Sequence, residues 1–286
     1  MAFTLQQLNL LCQYSYGVNR ADVLTTPGKH DFNVPQAGSF WIAESQYDHD
    51  SGFEGMIATP IHSDGQLDYA HIVVVFAGFN FKDDAYHDTC SIFNILYPSR
   101  RQPVRQVIQA ERLVQLASNL SRDHGYDTST ILLTGHSLGG CLALICALRN
   151  NATAKTFCAL DPWPLLTATE ATNIRSAIES EQLVDYRLSK DLLTNPVNRL
   201  LSGETNRSAK VIWCGQGNKP PYHWLGDFTF DASGHLLTQK HDPTPPRKSH
   251  WYPIDWQRLH SKLLVISKRM RAPFARIKAL ISIASR

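Results

Sequence analysis

No apolar stretch of this 286-residue chain reaches the ~18 residues that a helical membrane span requires, which argues for a soluble globular body. No H-E-x-x-H or C-x-x-C spacing and no glycine-rich phosphate loop occurs, so neither metal nor cofactor is expected. Six cysteines (Cys12, Cys90, Cys141, Cys146, Cys158 and Cys214) lie in or beside apolar runs and read as buried free thiols suited to a reducing compartment. A disulfide between distant cysteines is the alternative, and Cys90 as a nucleophile is a weak rival to the serine described below. The N-terminus lacks a basic segment and a cleavage site, so the location is expected to be cytoplasmic, or exported by a signal-peptide-independent route. There is no internal repeat. Acidic residues are absent from Trp256 to Arg286, where eight of the chain's 28 basic residues lie, leaving 20 against 25 acids elsewhere. The net charge of +3 is therefore a property of the tail, over a body that is acidic at −5.

What is present begins with Ile131-Leu132-Leu133-Thr134-Gly135-His136-Ser137-Leu138-Gly139-Gly140, a G-x-S-x-G frame between a β-rich apolar run and a helical one, Leu138 to Leu148. This is the arrangement of a nucleophile elbow. Glycine stands where strand and helix pass too closely for a Cβ, the serine is held exposed at the apex, and the helix N-terminus offers N–H groups to a developing oxyanion. A glycine-rich turn with an incidental serine would not require an ordered strand and helix on either side.

The string Gly135-His136-Ser137-Leu138-Gly139-Gly140, the preceding strand His71 to Phe79 and a helix over Val104 to His124 follow one another in an order that resembles the lipase class 3 family. The likeness spans about residues 40–255 and is strongest between Ile72 and Leu148. It implies an α/β-hydrolase-like fold and a lipid or ester substrate, an acylglycerol or a phospholipid. It also implies an oxyanion hole made by the N–H groups of Phe79 and Leu138. One departure stands out: the family's Arg-Gly-Ser/Thr at the oxyanion strand reads Ala77-Gly78-Phe79-Asn80 here. Backbone donors survive the change; the extra hydroxyl donor does not, and Asn80 is its substitute.

A serine is a weak nucleophile without a histidine to take its proton and an acid to orient that histidine, and in this fold the chain order is serine, acid, histidine. Asp161 and Asp191 are the acids that end successive strands, and Asp191 is favoured because the acid loop lies beyond the second. Five later histidines remain: His223, His235, His241, His250 and His260. His250, in Ser249-His250-Trp251-Tyr252-Pro253, resembles the family's loop histidine and is favoured, with His235 and His241 as alternatives. His235 also reads as an exposed hairpin residue, and His136 points the wrong way to be the base. Phe79, Phe81, Trp163 and Trp251 are candidates for an acyl pocket, although each also reads as core. Asp83, Asp84 and Asp88 would be the donors of a calcium-assisted variant but read more simply as solvated acids, and the segment between Tyr86 and Gln102 is apolar enough for a lid.

A helix is expected over Thr4–Tyr16 with Thr4 as its N-cap, strands at Phe53–Thr59 and Tyr69–Phe76, joined through Ser63-Asp64-Gly65, and later strands at Thr156–Leu160, Val184–Leu188 and Val211–Cys214, with helices between. The fold expected is α/β, a mainly parallel sheet flanked by helices over residues 1–255, followed by a basic helical C-terminal tail over residues 256–286. That tail reads as two amphipathic helices broken at Pro273, suited either to packing on the acidic body or to peripheral contact with an anionic membrane. Nucleic acid is not expected, because no binding motif accompanies the charge. The function read from the sequence is a serine ester hydrolase. The alternatives are a lipase-like secreted effector or toxin acting on membrane phospholipid, or a non-catalytic binding protein on a hydrolase fold.

Overall fold

The computed structural model describes residues 3–18, 25–34, 37–78, 105–202, 207–215, 217–218 and 220–238, all within one compact unit, Met1–Asp242. Phe79, Asn80, Phe81, the acids at 83, 84 and 88, Cys90, the segment 86–102, His241, His250, Trp251, His260 and the basic tail lie outside the described residues.

The sheet has eight strands in sequential order: β1 (Gly28–Asp31), β2 (Ser39–Asp48), β3 (Phe53–Pro60), β4 (Val73–Phe76), β5 (Leu132–Gly135), β6 (Thr153–Phe157), β7 (Leu183–Leu188) and β8 (Lys210–Cys214). β1 to β4 pair antiparallel and β4 to β8 parallel. Helices α1 (Leu5–Ser15), α2 (Arg105–Asp123), α3 (Leu138–Asn150), α4 (Ala168–Glu179) and α5 (Thr194–Ser202) accompany it. The expected α/β sheet is present as a mixed, mostly parallel one; the antiparallel β1–β2 side was not legible.

Strand alternation divides the core in two. On β4, Val74 and Phe76 join α2 and α3 in one cluster with Val107, Leu113, Val114 and Leu142. Val73 and Val75 face the other way, onto α1 through Leu8, Leu11 and Cys12. The central strands β3, β4 and β7 are therefore buried along their whole length, as strands covered on both faces must be. α1 starts where the sequence places it: Thr4 accepts from Gln7 N–H, and the Gln7 side chain returns the bond in a capping box. The amphipathic α2 buries Val107, Ala110, Leu113, Val114 and Ala117, whereas α3 is buried on every side from Leu138 to Ala147 and forms the central pillar behind the sheet.

Two expected boundaries move. The segment expected as a strand from Tyr69 begins with a 3-10 turn, Tyr69–His71, and is extended only from Val73. The expected strand Thr156–Leu160 is Thr153–Phe157, because Cys158 takes a positive φ of 46° and ends the extended run. Among the described residues no helix is long and apolar enough to cross a membrane.

Candidate functional site

The parallel strands β5, β6 and β7 end on one edge of the sheet, and the polar residues of interest gather there. β5 stops at Gly135, and the chain turns through His136 and Ser137 into α3. Ser137 has φ 57° and ψ −119°, a strained conformation for a non-glycine residue. Three backbone bonds hold it: Ser137 N–H donates to Phe157 O at 3.1 Å, while Leu160 N–H and Cys141 N–H donate to Ser137 O at 3.0 and 3.2 Å. Glycine is required beside it, since a Cβ at Gly135 would strike the backbone of Gly139. Leu138 opens α3, so its N–H has no intrahelical acceptor. Gly78, the last described residue before Phe79, lies against Ser137. A Cβ there would collide with the Tyr16 hydroxyl and the His136 carbonyl and come within 3.1 Å of Ser137 Cβ.

Asp191 follows β7 and is buried. Its Oδ1 accepts from the N–H groups of Leu193 (2.7 Å) and Thr194 (3.0 Å), and its Oδ2 from the Thr194 hydroxyl (2.5 Å). Oδ2 also accepts from His223 Nδ1 at 2.8 Å, with both side chains buried. Burial alone would push the carboxyl pKa up. The hydrogen bond and charge of His223 and the two Thr194 bonds outweigh it and hold Asp191 below its ordinary value. The imidazole that Asp191 orients among the described residues is thus His223, which lies in the loop after the edge strand β8. Among the described residues no hydrogen bond joins Ser137 Oγ to His223 Nε2. Such contacts are commonly loose until substrate is bound.

Asp161, the other acid weighed from the sequence, is buried in a different task. Its carboxylate accepts from the Ser208 hydroxyl (2.5 Å), Ser208 N–H (3.3 Å) and Trp163 N–H (3.0 Å), and its own N–H donates to Asn198. It straps the β6 loop to the segment before β8 and meets no histidine among the described residues. His235 sits in the exposed turn between bridge partners Phe230 and Leu236 and pairs with Asp231 at 3.3 Å. Trp163 packs against the core cluster of α2 and α3. His250, His241 and Phe79 lie outside the described residues.

His136 is buried between two partners. Its Nδ1 meets the Tyr16 hydroxyl at 2.7 Å and its Nε2 the His223 carbonyl at 2.8 Å. A carbonyl can only accept, so Nε2 carries the proton and Nδ1 accepts from Tyr16. Burial, then the neighbouring His223, lower the His136 pKa to about 3, so the ring is neutral near pH 7. The His136 and His223 rings lie 4.5 Å apart, centroid to centroid.

Donor atoms of Cys158, Asp191 and His223 lie within 4.8 Å of one another, a set that a soft divalent ion could use. Burial, then Asp191, raise the Cys158 pKa well above its ordinary value, so the thiol is a poor ligand. Cys12, Cys141, Cys146, Cys158 and Cys214 are buried free thiols, as the sequence suggested. Leu192 and Leu193, next in sequence to Asp191, and Trp224, next to His223, are exposed.

Residues 71–157 match the model of the lipase (class 3) family. No curated protein matches the chain. Among solved structures, the extracellular lipase LipA from Serratia marcescens is 15% identical over 54% of this chain and 25% of that one, at a TM-score of 0.37. The chain thus spans about a quarter of that lipase's length. The Rhizomucor miehei lipase in its propeptide complex is 16% identical, with 77% of this chain and 72% of that one covered, at 0.43. Carboxyl esterase 2 from Tuber melanosporum is 13% identical, with 79% and 93% covered, at 0.38.

Proposed function

We propose that this chain, whose residues 71–157 belong to the lipase (class 3) family, is a serine hydrolase of carboxyl esters. The hydrogen bond between Asp191 and His223 carries the reading, because it supplies an oriented imidazole whose backbone is tied to His136, the neighbour of a serine held at a strained elbow. Ser137 attacks the ester carbonyl, His223 takes its proton and returns it to the leaving alcohol, and Asp191 stabilises the imidazolium formed on the way. The N–H of Leu138 and that of Phe79 stabilise the tetrahedral oxyanion. Water then releases the acid from Ser137 by the same steps. His250, favoured from its local sequence, gives way to His223 in this assignment because Asp191 already holds an imidazole.

The exposed Leu192, Leu193 and Trp224 favour an acyl group of appreciable length over a small charged ester. With the family match, they support a lipid ester as substrate. The test is covalent labelling by a fluorophosphonate. Wild type and His250→Ala are expected to label, and Ser137→Ala and His223→Ala not to. Labelling lost in His250→Ala but kept in His223→Ala would reassign the base. An unlabelled, folded wild type would sink the hydrolase reading.

A further inference from the structure

The segment that carries the base is tied at every second carbonyl to a different part of the site. Pro221 O accepts from Leu192 N–H in the acid loop at 3.0 Å. His223 O accepts from His136 in the elbow at 2.8 Å. Leu225 O accepts from Asn9 Nδ2 on α1 at 3.2 Å. The middle tie is the short one, and it comes from the residue directly before the nucleophile. We propose that His136, set by the Tyr16 hydroxyl behind it, is a positioning residue that fixes the distance between nucleophile and base; this rests on the hydrolase reading above.

The tie works only in one tautomer. If Nδ1 carried the proton, a lone pair on Nε2 would face the His223 carbonyl, and attraction would become repulsion. The Tyr16 hydroxyl, donating to Nδ1, selects the useful form, and the low proton affinity of the buried ring keeps it neutral. The same hydroxyl sits where a Cβ at Gly78 would be, so Tyr16 touches both the support of the base and the loop leading to the oxyanion donor. The chemistry needs nothing of His136 itself: its Nε2 is engaged by the His223 carbonyl and its Nδ1 by Tyr16.

The full chain carrying His136→Leu, His136→Gln or Tyr16→Phe separates positioning from mere packing. Leucine fills the space without a donor, whereas the glutamine amide nitrogen can reach the position of Nε2. Acylation by a fluorophosphonate and turnover of a soluble p-nitrophenyl ester are expected to fall about 10²-fold in His136→Leu, the scale of a misplaced reacting group, with KM within about twofold of wild type. His136→Gln should recover at least about tenfold, and Tyr16→Phe should lose about tenfold. The low-field proton of His223 Nδ1–H should weaken or shift in His136→Leu and return in His136→Gln. Wild-type rates in a folded His136→Leu, or no recovery in His136→Gln, would overturn the proposal. Should His136→Leu fail to fold, Tyr16→Phe decides alone, unchanged acylation being the contrary result. If wild type itself does not label, the hydrolase reading fails separately. The Nδ1–H signal then judges the tie, and an identical signal in His136→Leu and wild type would refute it.

Discussion

At the scale of single residues, the acid is the group whose environment is most completely specified. Four donors converge on the Asp191 carboxylate in a buried setting. Asp191→Asn should keep the fold and lower kcat by about 10⁴, since the amide no longer favours the imidazole tautomer that leaves Nε2 free to accept the serine proton. Single-turnover acylation checks it. Asp191 also contributes to acid lability. Its pKa is depressed in the fold, so its stabilisation is fully present above the unfolded value of about 3.9 and is lost as pH falls below it. His136 acts in a higher window. Its pKa falls from 6.5 to about 3 on folding, so between those values the unfolded chain binds a proton that the native chain refuses. Stability is then expected to rise with pH across that window. Denaturation of His136→Gln followed against pH should lack this slope.

The limits of local sequence are plain at the same scale. Ser137 was legible because its requirements are contiguous: strand, glycine, serine, glycine, helix. The aspartate that holds an imidazole, Asp191, was one of two the sequence offered after successive strands. The histidine that Asp191 holds among the described residues was not singled out, because His223-Trp224 and His250-Trp251 are the same dipeptide, and an aromatic behind a histidine suits both. What distinguishes them is a contact across 32 residues of chain, from His223 to Asp191. The usable signal was topological: His223 lies in the loop after β8, on the edge where the parallel strands end.

Among the elements, α1 has an influence beyond its 11 residues. Leu8 and Leu11 are fully buried against the sheet face opposite α2 and α3, and the helix delivers Asn9 and Tyr16 to the site. Leu11→Ala is expected to cost about 2–5 kcal/mol of stability, read by urea unfolding, and to lower activity more than stability alone explains. Gly78→Ala should be worse for catalysis than for folding, since its methyl would push Tyr16 and the His136 carbonyl apart from the loop beside Ser137. The elements that read well were those with a clean period, α1 and α2. β2 did not, because a register shift between Ile42 and Glu44 breaks its alternation midway. β6 was displaced because nothing local announces the positive φ of Cys158.

For the molecule as a whole, charge is divided between an acidic body and a basic C-terminal segment. Eight cations without an acid over Trp256–Arg286 are worth about 1 kcal/mol each near an anionic bilayer. Deleting that segment is expected to abolish sedimentation with phosphatidylserine vesicles at low salt while sparing soluble-ester turnover. Equal sedimentation of the two forms would leave the tail no membrane role.

The sequential order of the eight strands governs when the proposed site can form. Each strand pairs with its predecessor in the chain, so a polypeptide leaving the ribosome can lay down the sheet from one edge to the other without waiting for a distant partner. The elbow belongs to the fifth strand, whereas the base follows the eighth and is tied to a residue 87 positions earlier. A nascent chain therefore carries Ser137 through the synthesis of β6, β7 and β8 before His223 can reach it. On the proposed reading, hydrolytic competence waits for the segment after β8, and a ribosome-arrested product that ends before Pro220 is expected to leave the esters around it intact.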